Sequence, residues 1–213
     1  MDDSWPEFET VRDDLMPLLC ARCDRTTKPM IYHDLNTGVV FPTPSGYTRV
    51  DQQLLDYWGT TLGVVLEIAN WNLRRNTHDA DWSEIATVPG LFSYTSTDGL
   101  ASSRLLCLQD LARPWPLEGV LAVVPTRGQL LVLPMNNLDI LQNMRIMVLA
   151  GDTGRENGTH PISDQLFWFD GERWETIVVG HTQTDIEIYP SQRFMDALER
   201  ITAIHLVPVA AEA

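Results

Sequence analysis

An α+β architecture, with an antiparallel or mixed sheet and helices packed on it, is what this chain favours on three observations. Gly119 to Val178 contains two hairpin-like units, VLAVVPTRGQLLVL and QLFWFDGERWETIVV, flanking an apolar helical segment, which gives the order strand, strand, helix, strand, strand. Between about Thr60 and Arg75, Leu62, Leu66, Ala69 and Leu73 recur at spacings of three and four, the period of a helix with one face on a core. MIYHDL and VVFP read as short strands separated by Asn36-Thr37-Gly38 and followed by a Pro/Gly turn from Pro42 to Gly46.

The remaining elements follow from caps and breakers. Ser4-Trp5-Pro6-Glu7 has the form of a helix start, with Phe8, Val11 and Leu15 on one face and Pro17 expected to kink or end the helix. Asn76 to Pro89 is polar and turn-like, and LFSYTST has strand character. Asp98 is placed to cap a helix running through Leu106, and Pro114 and Pro116 form an extended connector. Arg127-Gly128 is the expected turn of the first hairpin, with glycine tolerating positive φ. Asn136 or Asn137 can cap a helix carrying Leu138, Leu141, Met144 and Val148, which is expected to end in the loop GDTGRENG. Asp170-Gly171 marks the second hairpin turn, a last helix begins near Ser191, and AIHLVPV reads as a strand. Residues 1–213 are read as one α+β domain, whose weakest joint, Asn76 to Pro89, would divide an N-terminal subdomain 1–80 from a core subdomain 90–213.

At 24.1 kDa and 44% hydrophobic residues the chain can bury a sizeable core without staples. Its apolar runs fall short of the roughly 20 residues that cross a bilayer, and the acidic N-terminus is unlike a signal peptide. Three cysteines, Cys20, Cys23 and Cys107, cannot all pair within one chain. A cytoplasmic, soluble protein with reduced thiols and no membrane contact is the expectation. The formal charge of −14 opposes binding to a phosphate backbone, so nucleic acid is not an expected ligand.

The segments LLDYWGTTLGVVLEIANWNLRR, SSRLLCLQDL, GVLAVVPTRGQLLVLP with the Asn-led helix after it, and HPISDQLFWFDGERWE occur in an order that resembles the YtpQ-like family of uncharacterised bacterial proteins. The resemblance covers about two thirds of the chain, from Pro29 to Glu175, and implies an α+β fold with no established activity. Members of that family commonly carry an acidic residue after the arginine of the Pro-x-Arg turn, where this chain has Gly128. The family motifs would also allow Ser103 and Asn137 to complete a small polar pocket beside Arg127.

Chemistry-bearing residues are sparse. Cys20-Ala21-Arg22-Cys23 is a single CxxC, and a zinc site needs two further ligands, so no metal site is assigned. His33-Asp34 and His78-Asp79 carry metal-ligand types but read as a strand and a helix end. His160 and Ser163 lack the orienting acid and the elbow that a nucleophilic serine requires. Arg127 at a hairpin tip has the fork geometry for a carboxylate or phosphate. Most of the seven tryptophans should be core, with Trp168 and Trp174 around the Asp170-Gly171 turn as the pair that would form an exposed partner-binding patch.

The leading expectation is therefore a non-catalytic binding or protein-interaction module, without cofactor, that meets a protein partner through Arg127, Ser103, Asn137, His160, Trp168 and Trp174. One alternative is a hydrolase of unrecognised type, dependent on a metal or on His160 with Ser163. Another is an acidic inhibitor or immunity-type partner of a basic protein, on the strength of the −14 charge. Oligomeric state and partner identity are not legible at this level.

Overall fold

The computed structural model describes residues 5–21, 26–31, 35–78, 81–110, 115–136, 139–182 and 186–206. A short helix α1 (Phe8–Val11) and a 3-10 turn (Arg12–Asp14) lead into β1 (Met16–Cys20), β2 (Lys28–Ile31), β3 (Leu35–Thr43) and β4 (Gly46–Arg49), then α2 (Gln52–Trp58) and α3 (Leu62–Arg75). There follow β5 (Trp82–Glu84), β6 (Phe92–Tyr94), a 3-10 segment (Ala101–Asp110), β7 (Val120–Val123) and β8 (Leu130–Pro134). The chain continues through α4 (Ile140–Asn157), β9 (Leu166–Phe169), β10 (Trp174–His181), β11 (Ile186–Tyr189) and α5 (Gln192–Leu206).

The fold is α+β with antiparallel pairing. A seven-stranded sheet runs β11-β10-β9-β7-β8-β6-β5, and in a smaller sheet β3 is flanked by β1 on one side and by β2 and β4 on the other. β7 and β9 are buried at every position, as expected of central strands covered on both faces. On one face Leu121, Val123, Leu133 and Trp168 pack under α4 and α5. On the other, Val120, Ala122, Val132 and Phe167 meet the 3-10 segment and Leu19 and Leu35 of the small sheet, so the two sheets share a core. Val39 and Phe41 of β3 then pack against α2 and α3. No helix among the described residues is long and apolar enough to cross a membrane.

Local signals hold where they are strong. Thr61 caps α3 through Val64 N–H, and Ser191 caps α5 through Phe194 N–H. Asp170 Oδ1 accepts from the amides of Glu172 and Arg173, each at 2.9 Å, and closes the β9–β10 turn.

Five expectations are corrected. The first helix is only one turn long, and Pro17 belongs to β1, an edge strand, where a missing donor is tolerated. Asn36-Thr37-Gly38 is not a turn but the interior of β3, with Gly38 opposite Leu18 and Thr37 opposite Lys28, so pairing on both sides satisfies its backbone. Gly128 is absent from the glycines at positive φ; the left-handed residue beside that turn is His160, at φ 56°. GDTGREN continues α4 instead of ending it. The reason is close approach: a Cβ at Gly154 would stand 2.3 Å from Cβ of Pro125, so glycine lets the helix settle onto the end of β7. Finally, Ala203 to Leu206 belong to α5 and not to a strand, and the rest of AIHLVPV lies outside the described residues.

Candidate functional site

Between the two sheets lies a polar cleft of about 580 Å³. Asp13 and Asp14 of the first 3-10 turn, Tyr47 of β4, His78 after α3, Asp81 before β5, the turn from Thr95 to Asp98, and Arg104 of the second 3-10 segment line it. Arg104 ties the Thr95–Asp98 turn, β6 and the end of α3 together, while Asn72 and Arg75 of α3 hold the first 3-10 turn beside them. Arg104 is 1% exposed, and its Nη1 meets Asp98 Oδ2 at 2.7 Å and donates to Leu100 O at 3.1 Å. Its Nη2 donates to Asn76 O at 3.2 Å, at the C-terminal end of α3 where helix carbonyls favour a cation. The guanidinium also stands over the Tyr94 ring, 5.4 Å from its centroid.

Two tyrosines extend this network. Tyr94 Oη donates to Asp81 Oδ2 at 2.9 Å, and Tyr47 Oη donates to Asp98 O at 2.9 Å. Burial, reinforced by the bond to Asp81, pushes the Tyr94 phenol up to about 12. Burial and then the Asp98 charge raise Tyr47, against the opposing pull of Arg104 and Arg127. For Asp98, burial acts upward, but the Leu100 amide, which donates to Oδ1 at 2.8 Å, and Arg104 are among the contacts that outweigh it and hold the carboxyl below its ordinary value.

The cleft has four carboxylates, Asp13, Asp14, Asp81 and Asp98, against one guanidinium that is already engaged. Asp13 and Asp14 are exposed, and Arg75 Nη2 donates to the Asp13 carbonyl at 3.4 Å. Carboxylates only accept hydrogen bonds, so the arrangement suits a cationic donor such as an ammonium or a guanidinium. Among the described residues no group of three or more His, Cys, Asp or Glu is placed to hold a metal ion.

The residues singled out in the sequence fall in different places. Arg127 is half-buried at the β7–β8 turn, its guanidinium 5.8 Å from the Tyr47 ring centroid, which sets it on the border of the cleft. Its backbone is held on both sides, with Arg127 N–H donating to His160 O at 3.0 Å and Ser102 N–H donating to Arg127 O at 3.1 Å. Ser103 is fully buried, and among the described residues its hydroxyl, like that of Ser102 and Nε of Arg104, has no hydrogen-bond partner. His160 is exposed, and no hydrogen bond joins it to Ser163, whose Oγ accepts from Gln165 N–H at 3.1 Å. Trp168 is 2% exposed and donates to Glu118 O at 2.9 Å, so it belongs to the core and not to a surface patch. Trp174 is half-buried against Phe169, with ring centroids 5.1 Å apart. Asn137, Cys23, His33, Asp34 and Asp79 lie outside the described residues. Cys107 is buried, which raises its thiol, and Cys20 is half-buried.

Sequence reasoning missed Arg104, Asp81, Asp13 and Asp14, and gave Asp98 only a capping role. One cue was present: Arg104 interrupts the apolar run of SSRLLCLQDL, and a cation inside a buried stripe has to be paired. Compared with protein-family models, with curated proteins and with solved structures, the chain matches none.

Proposed function

We propose that this chain is a non-catalytic, cytoplasmic binding module whose acidic cleft receives a lysine or arginine side chain of a basic protein partner. The observation that carries the reading is the imbalance within the cleft: Arg104 is consumed internally while Asp13 and Asp14 stand exposed at the mouth. Arg127, stacked on Tyr47 at the border, is the group for a carboxylate or phosphate on the same partner. The overall charge of −14 would speed the encounter with a basic surface, and the cleft would supply its register.

The test is fluorescence polarisation with a labelled hepta-arginine peptide at low and at physiological salt. The double variant Asp13→Asn/Asp14→Asn is expected to weaken binding about 5-fold, two exposed charge pairs each contributing ~0.5 kcal/mol. Glu156→Gln/Glu172→Gln, which removes the same charge from exposed positions elsewhere, should leave it within about 2-fold. Equal weakening by both pairs would show attraction to the net charge alone and sink the cleft assignment.

A further inference from the structure

A second concave surface lies on the opposite face of the large sheet. Leu141 and Met144 of α4, Phe194, Met195 and Leu198 of α5, and Ile188 of β11 enclose a groove of about 640 Å³ that is almost wholly apolar. Leu141 is 65% exposed and Met195 39%, so its walls present apolar side chains to solvent. Seven strands spaced about 4.8 Å apart make a face nearly 30 Å wide, whereas two helices about 10 Å in diameter cover only some 20 Å of it. The stretch from Phe194 to Ala203 that flanks the groove is about 14 Å long at 1.5 Å per residue, between two and three helical turns.

Charge selects the occupant. Both arginines in the described part of α5 are turned to internal partners, Arg193 to Asp170 and Arg200 to Glu118. Its acids Asp196 and Glu199 remain exposed, and Glu199 borders the groove itself. Glu187 of the adjacent edge strand is exposed as well. Arg145 and Arg155, the exposed arginines of α4, are not among the lining residues. A second copy of this chain, carrying −14 and the same acidic border, would bring like charges together. We propose that the groove between α4 and α5 docks an amphipathic helix of a partner protein, its apolar face on Met195 and Leu141 and its flanking basic residues beside Glu199. The two methionines among its lining residues give the walls the adaptability that helix-binding grooves use.

The probe is an 18-residue labelled peptide of Leu and Lys in the repeat LKKLLKL. Its controls are the same peptide with Glu for Lys, and a scrambled order with no apolar face. Polarisation should show saturable binding of the basic helix and at least ~10-fold weaker binding of both controls. Leu141→Glu and Met195→Glu, exposed positions whose folding is checked by circular dichroism, should each weaken it at least ~10-fold. Unchanged binding in both variants would overturn the proposal, as would equal binding of the scrambled peptide. Glu156→Gln/Glu172→Gln, at exposed positions outside the groove and the cleft, should bind the helix as the parent does; a loss there equal to that of the groove variants would assign binding to net charge and reject the groove. Sedimentation is the last arm: a dimer that Met195→Glu dissociates would replace the partner helix by a second copy.

Discussion

Arg104 and Asp98 form an ion pair across the cleft wall, Nη1 to Oδ2 at 2.7 Å, with 2% of the arginine side chain and 24% of the aspartate exposed. A cation so completely removed from water depends on its partner, since attraction at low dielectric offsets a desolvation cost of several kcal/mol. The same pair fixes the turn that carries Asp98 and the end of α3, so the shape of the cleft and the stability of the fold rest on one contact.

Asp98→Asn is therefore expected to cost about 1–3 kcal/mol, the lower end reflecting the part of the carboxylate that still meets water. Urea denaturation at neutral pH would show it as a lowered midpoint with unchanged slope. The pH dependence has a definite sign. The folded carboxyl titrates below its ordinary value of 3.8, so its contribution is present above that value and is lost as pH falls through the folded one. Asp98→Asn should lose less stability than the parent below about pH 4; equal losses would deny the pair its role.

Tyr94 gives the opposite edge of the pH range. With the phenol raised from 10.0 to about 12, its protonated form is favoured in the folded state. The resulting stability is full below pH 10 and declines as pH rises from there through about 12. In an ultraviolet titration Tyr94→Phe should remove the last phenol to ionise, and the variant should resist alkaline unfolding better than the parent over that interval. A titration whose last step survives the substitution would assign it to another tyrosine.

Gly154→Ala tests the packing of α4. Alanine favours a helix interior by about 1 kcal/mol over glycine, but its Cβ would stand 2.3 Å from Pro125 Cβ and 3.2 Å from Gln129 Oε1. Overpacking of this kind typically costs 1–3 kcal/mol, so a net loss of about 1 kcal/mol and a lower Tm are expected. A raised Tm would show that the helix can shift away from β7 without penalty.

How much was legible depended on how local each signal was. Thr61 and Ser191 announce their helices because a cap bonds amides three residues away, and Asp170-Gly171 makes its turn within four residues. GDTGREN reads as a loop by composition, yet close packing against Pro125 makes glycine the residue that fits a helix there. β11 went unread because IEIY is four residues long at a sheet edge, half its side chains in solvent. Trp168 could be placed near a turn from sequence, but its burial required α5, whose Phe194 ring lies 5.2 Å from the indole.

By itself, then, the sequence determined the α+β class, α3, α5 and both hairpins of the central unit, since caps, turns and periodicity act over a few residues and need no distant partner. Only the tertiary structure decided the two concave surfaces. Asp13, Tyr47, Asp81, Asp98 and Arg104 meet because two sheets close on one another, and the α4–α5 groove exists because two helices leave part of a wide sheet uncovered. Such juxtapositions depend on which faces pack together, and that information is spread over the whole core.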